Sequence, residues 1–265
     1  MMIKVGTSGF QFPDWKGTVY PERVRQQDML TFYEESLGFD VLEVNYTYYR
    51  LPFAKTMEAM ARKTSEHFEF VVRSHREMTH EIWEDKERSR LKANRDIFKR
   101  FLDGLEPLIR RKKLGCVLLQ FPYYFLPTNE NLDYILASRS YLKGVEIVVE
   151  FRHQSWVQEK VFDFLTKNGL GFCIVDEPRL SGLMPTQFVV TSSIAYLRFH
   201  GRNPQWFGAS KEDRYRYDYS EQELTELIPE IRRIEPFGKH FYAFFNNCSQ
   251  GFAVKNALMF KKLID

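Results

Sequence analysis

The chain has 265 residues, 44% apolar and 28% charged, with 38 Lys and Arg against 35 Asp and Glu and a net charge of +3. With 24 Phe and 14 Tyr it can bury enough surface to offset its ordering entropy, which excludes global disorder, and so small a net charge does not by itself point to nucleic acid. Only 14 Gly and 11 Pro exclude collagen-like and low-complexity classes, and three scattered cysteines (Cys116, Cys173, Cys248) without a CxxC speak against a disulfide framework or a zinc knot.

The first short apolar run, Ile3–Thr7, reads as a buried strand. No leader pattern precedes it, and no apolar run approaches the roughly 20 residues of a membrane span. A reducing cytoplasm without membrane contact is therefore expected. Further strand-like runs follow at Val41–Asn45, Phe68–Arg73, Cys116–Gln120, Ile147–Glu150, Gly171–Asp176, Ile194–Phe199 and His240–Phe245. Several are apolar throughout, as in parallel strands covered on both faces. Between them, Leu91–Arg111 places Phe98, Phe101, Leu102, Leu105, Leu108 and Ile109 on one helical stripe. Its basic end, Arg110 to Lys113, reads as solvated cations at a helix C-terminus rather than as a nucleic-acid patch. Leu132–Tyr141, Gln154–Asn168 with Gly169 as its C-cap, Ser220–Arg233 and Gly251–Leu263 also read as helices.

Eight strands with intervening helical units, about 33 residues per unit, predict an α/β fold, a single (β/α)8 TIM-type barrel over residues 1–265. A doubly wound sheet is the alternative, but Gly6-Thr7-Ser8-Gly9 is not a dinucleotide fingerprint and no phosphate-binding GxxxxGK[ST] loop is present. A barrel of this type carries its site at the C-terminal ends of the strands. The residues there are strongly polar: Glu43, Asn45, Arg73, Gln120, Glu150, Arg152, Asp176, Arg198, His200, Arg202 and Asn246.

Glu43, Glu150 and His200 are the candidate catalytic residues, with a glutamate as general base and His200 as general acid or electrostatic stabiliser. Asn45, Gln120 and Asn246 would orient hydroxyl groups. Arg73, Arg152, Arg198 and Arg202 form a candidate anion receptor, since the guanidinium fork matches phosphate and carboxylate. Asp176 joins the substrate-binding set, although before Glu177-Pro178 it also suits a turn. The competing structural reading is a self-satisfied ring of salt bridges closing the barrel top. The three carboxylates with His75, His153 and His200 leave a divalent metal open, but the six histidines are dispersed and do not favour one, and the cofactor is otherwise unassigned.

The leading expectation is a hydrolase-like enzyme acting on a small phosphate-bearing or nucleotide-like substrate. One alternative is a carbohydrate-active enzyme using the Glu43 and Glu150 pair. The other is a non-catalytic nucleic-acid-binding protein using the long loop His200–Asp218. That loop holds Arg202, Lys211, Arg214 and Arg216 with Trp206, Phe207 and Tyr215, diluted by Glu212 and Asp213. It is also expected to overhang the mouth as a lid.

The strings Gly6-Thr7-Ser8-Gly9-Phe10, Asp14-Trp15-Lys16-Gly17 and Leu42-Glu43-Val44-Asn45, followed by Tyr48-Tyr49-Arg50-Leu51-Pro52, occur in order with Leu119-Gln120-Phe121-Pro122 and Val149-Glu150-Phe151-Arg152-His153. Tyr196 to Asn203 and Phe245-Asn246-Asn247 complete the set. Together they resemble the YecE-like family, also called domain of unknown function 72, over roughly residues 3 to 262. The resemblance implies a TIM barrel and no established reaction. Family members typically carry Lys after the third strand; Arg73 keeps the charge there but makes Schiff-base or proton-transfer chemistry less plausible.

Overall fold

The eight apolar runs form eight strands. The computed structural model describes residues 3–264 except Ser89 and Ala93, and of Lys211 and Glu212 the backbone alone. The strands are β1 (Ile3–Thr7), β2 (Val41–Val44), β3 (Glu69–Arg73), β4 (Leu114–Gln120), β5 (Ile147–Glu150), β6 (Gly171–Asp176), β7 (Ile194–Phe199) and β8 (His240–Phe245). All ladders are parallel, in the order β1-β8-β7-β6-β5-β4-β3-β2. β1 and β2 meet only through a bridge between Ser8 and Glu43, beside which the Gly9 N–H donates to the Glu43 carbonyl at 2.9 Å. The sheet is thus a nearly closed TIM-type barrel. Most strand residues are buried because the inner face fills the barrel and the outer face meets helices.

The helices are α1 (Met29–Glu35), α2 (Ala54–Arg62), α3 (Arg95–Arg110), α4 (Asn129–Tyr141), α5 (Glu159–Lys167), the single turn α6 (Lys211–Arg214), α7 (Glu221–Thr225), α8 (Ile228–Ile234) and α9 (Phe252–Ile264). α1 and α2 are additions to the expected set. The stretch Ser220–Arg233 divides into α7 and α8, because Pro229 has no N–H to continue the first ladder and is suited to a helix start. Gln154–Asn168 divides too. A 3-10 turn, Gln154–Trp156, is pinned by the Trp156 indole donating to the Phe125 carbonyl at 2.6 Å, and α5 begins after it. Gly169 ends α5 at φ +62°, a left-handed geometry that suits glycine.

One expected helical unit is absent. Residues 177–193 join β6 to β7 without a helix. Pro178 and Pro185, the positive φ of Gly182 and the β-branched Val189-Val190-Thr191 all work against one.

The basic run at the end of α3 is not simply solvated. Arg110 and Arg111 both reach Glu58 on α2, at 3.2 and 2.6 Å. The Lys113 ammonium donates to the Ala61 and Thr64 carbonyls at 2.7 and 2.8 Å, satisfying orphan acceptors at the end of α2. At Gly104, α3 meets the segment that leads into α2, where a Cβ would lie 2.1 Å from the Pro52 carbonyl oxygen. Gly→Ala inside a helix ordinarily stabilises by about 1 kcal/mol. Here the sign is expected to reverse: Gly104→Ala should lose about 1–3 kcal/mol by overpacking backbone against backbone, measured by urea unfolding.

Candidate functional site

Side chains two apart on a strand share a face, and β2, β5 and β7 turn Glu43, Glu150 and Arg198 into the barrel. Arg198, 1% exposed, donates through Nη1 to Glu150 Oε2 at 2.5 Å and through Nη2 to Glu43 Oε1 at 2.8 Å. It also reaches Gln120 Oε1 at 3.3 Å and Ser8 Oγ at 3.5 Å. Glu43 receives two further bonds, from the Tyr196 hydroxyl at 2.5 Å and the Asn45 amide at 3.0 Å.

A second layer surrounds Glu150. Arg152 Nη1 donates to Glu150 Oε1 at 3.0 Å and to Glu177 Oε2 at 3.1 Å, while its Nη2 donates to the Tyr215 hydroxyl at 3.1 Å. His200 Nε2 lies 3.1 Å from Glu150 Oε1, and its Nδ1 lies 3.0 Å from the Asn246 amide nitrogen. An Asn246 NH2 that donates requires an accepting Nδ1, so the Nε2–H tautomer satisfies both bonds.

Burial opposes ionisation of Glu150, but Arg198, His200 and Arg152 outweigh it and hold the carboxyl well below the usual carboxylate range. Burial, reinforced by Arg152, pushes His200 down to about 3, so it is neutral at pH 7. Burial pushes Glu177 up to about 7, against Arg152 and the Met184 N–H that donates to it at 3.0 Å.

Above this network lies a cavity of about 670 Å³ at the barrel mouth, lined by Ser8, Asn45, Tyr48, Arg73, Gln120, Tyr215 and Asn246 among others. Arg73 is its distinctive feature. The guanidinium lies over the Tyr48 ring, 4.1 Å from the centroid, and its Nε is buried without a hydrogen-bond partner. Among the described residues no carboxylate forms an ion pair with it. Burial, then Arg198, lowers its pKa. Asn45 Oδ1 is likewise buried and unpartnered. Two residues of the pocket wall thus carry hydrogen-bonding capacity that their neighbours among the described residues leave unused. The turn into α9, where many barrels bind phosphate, is already served by the Asp14 carboxylate, which accepts from the Gln250 N–H at 2.5 Å.

Of the residues named from sequence, Asn45, Arg73, Gln120 and Asn246 line this pocket. Glu43, Glu150, Arg152, Arg198 and His200 form the network beneath it and do not line it. Each oxygen of Glu43 and Glu150 accepts at least one hydrogen bond. That geometry leaves neither carboxylate free to take a proton from a substrate in the pocket, and a neutral His200 has a poor proton to give.

Asp176 and Arg202 lie apart. They pair through two bonds of 2.9 and 2.7 Å, and line a separate cavity of about 570 Å³ beside the helix-free 177–193 segment. In the long loop, Trp206 is buried against Tyr215 and Arg152, with Phe207 exposed. The side chains of Lys211 and Glu212 lie outside the described residues. Among the described residues, no group of three His, Cys, Asp or Glu is placed to hold a metal ion, and no helix is long and apolar enough to cross a membrane. All three cysteines are free and buried.

A family model described as "Protein of unknown function DUF72" matches residues 4–265. The chain belongs to the DUF72 family. The UPF0759 protein YunF of Bacillus subtilis (strain 168) is 30% identical over 277 residues, covering all of this chain and 95% of YunF. A DUF72 family protein from Thermotoga maritima MSB8 has a crystal structure that superposes with a TM-score of 0.91 at 42% identity, over 100% of this chain and 99% of that one. An Enterococcus faecalis V583 DUF72 protein gives 0.84 at 27%, over 99% and 95%. At the level of fold alone, the barrel also resembles a D-psicose 3-epimerase, with a TM-score of 0.53 at 11% identity over 99% of this chain and 97% of that one.

Two members of this chain's network escaped the sequence reading. Tyr196 sits two residues before Arg198 on β7, and period-two facing was a signal that could have found it. Glu177 follows Asp176 directly, and its proximity to Pro178 made the pair read as a turn.

Proposed function

We propose that the mouth pocket binds a small phosphate-bearing or nucleotide-like molecule and that the protein is a hydrolase-like enzyme acting on it there. The observation that carries this reading is Arg73: a half-buried guanidinium at the cavity wall, with no carboxylate ion pair among the described residues, lying over the Tyr48 ring and with its Nε unpaired. A cation partly withdrawn from water gains from an anion that joins it. The Arg73 fork holds the anion, and Asn45, Gln120 and Asn246 orient the remainder.

Glu43, Glu150, Arg152, Arg198 and His200 act as positioning residues. They fix Asn45, Gln120 and Asn246 through hydrogen bonds made before ligand arrives, and such fixed dipoles suit charge developing on a reacting group. The carbohydrate reading through a glutamate pair is less well supported, because Arg198 lies between the two carboxylates and bonds to both.

The test is thermal unfolding with inorganic phosphate and with nucleoside monophosphates. A ligand at a hundred times its Kd is expected to stabilise the wild type by about 2.7 kcal/mol, and Arg73→Met is expected to lose that stabilisation while still folding. Equal stabilisation of both proteins, or none of the wild type across the panel, overturns the proposal. Phosphate release from the ligands that bind tests the hydrolytic half.

A further inference from the structure

Most of the large apolar and aromatic side chains left exposed lie at one end of the barrel, Ile109 near the end of α3 and Phe237 before β8 being the exceptions. Tyr46, Tyr49 and Phe53 follow β2, Tyr123 and Tyr124 follow β4, and Phe207 lies in the loop after β7. All six stand at the C-terminal ends of the strands. Phe53, Phe207 and Tyr49 are 66%, 58% and 53% exposed, a cost in water that a concentrated patch rarely carries without a partner.

Several of these rings touch other rings, and one of them lines the pocket. Tyr123 meets Phe207 at 6.0 Å, Tyr49 meets Tyr48 at 4.9 Å, and Tyr49 itself lines the Arg73 cavity. Cations are interleaved with them: the Arg88 guanidinium lies 3.3 Å from the Tyr124 ring centroid, and Arg214 lies over Trp206.

From this arrangement we infer that the mouth takes a short single-stranded nucleic acid, with one phosphate at Arg73 and neighbouring bases stacked on the rim. The inference rests on the Proposed function reading of the pocket and names its substrate class. A free mononucleotide has one ring to stack, whereas the rim offers π faces from three separate loops around a single anion site. Bases stack on aromatic side chains regardless of sequence, and interleaved arginines add cation–π contact and attract the backbone.

The experiment uses fluorescence anisotropy of labelled twelve-residue dT and rU oligonucleotides, with thymidine and uridine monophosphates and inorganic phosphate as competitors. Wild type is expected to bind at least one oligonucleotide more than tenfold tighter than its mononucleotide. Tyr124→Ala, Phe53→Ala and Phe207→Ala are each expected to weaken the oligonucleotide about 5- to 100-fold. The same three variants should leave mononucleotide competition and the thermal midpoint unchanged, since none of these side chains lines the pocket. Arg73→Met should weaken both ligands.

Oligonucleotide binding no tighter than mononucleotide binding overturns this inference and leaves the pocket reading standing. Failure of every phosphate ligand to bind takes both down. Self-association in sedimentation that the rim variants abolish, without oligonucleotide binding, assigns the patch to a second copy and also overturns the inference.

Discussion

Arg198→Met is expected to destabilise the protein by about 3–5 kcal/mol, because it leaves Glu43 and Glu150 buried without the guanidinium that both share. For a chain of this size that corresponds to a fall in Tm of roughly 10 °C or more. Most of the loss comes from stranding Glu43, and from leaving Glu150 to Arg152 and His200, rather than from the intrinsic strength of the pairs. The triple variant Arg198→Met, Glu43→Gln, Glu150→Gln should therefore recover part of it, since the amides need no counter-charge. Thermal unfolding by circular dichroism at pH 7 checks both. A single variant as stable as the wild type would show that the cluster does not hold the barrel together. The measurement also bears on function: a network that stabilises this strongly serves as the foundation of the pocket.

The second large effect is a pH dependence at Glu177. Its folded-state pKa, about 7, lies above the ordinary value near 4.3 for an unfolded glutamate. Between these values the folded state holds a proton that the unfolded state has released, so this contribution to stability is full below about 4.3 and is lost as pH rises to 7. The swing is on the order of 3 kcal/mol.

His200 works in the opposite sense. Its pKa of about 3 against an unfolded value near 6.5 removes stability as pH falls below 6.5. The wild type alone therefore shows a mixed profile. The difference between wild type and Glu177→Gln isolates the carboxyl, because the amide cannot ionise. Urea unfolding from pH 4.5 to 8 should show the variant gaining on the wild type steadily as pH rises, with the gain flattening above about 7.5. A pH-independent difference would mean that Glu177 is ionised throughout.

Much of this was legible in the sequence, and the particular residues show why. The strands announced themselves because a barrel strand is apolar on both faces, so a run such as Phe172 to Val175 needs no partner to be recognised. Strand ends announced the polar mouth for the same reason: a charge such as Arg198 within β7 interrupts a pattern that is otherwise uniformly buried. The missing β6–β7 helix was harder to see. Breakers such as Pro185 and Gly182 mark a loop, but neither tells how long the chain goes without a helix.

The tertiary structure decided the division of labour at the mouth. The sequence determined that Glu43, Arg73, Glu150, Arg152, Arg198 and His200 gather at one end of the barrel, because strand register and the rule of the C-terminal face depend only on chain order. Which cation is matched to which carboxylate depends on distances across the barrel, between residues 43, 150 and 198, that no local pattern encodes. Only the closed sheet brings Arg198 between two glutamates and leaves Arg73 beside Tyr48 without one. Ion pairing falls off over a few ångströms, so that placement separates a cation matched to carboxylates from one left without a carboxylate among the described residues.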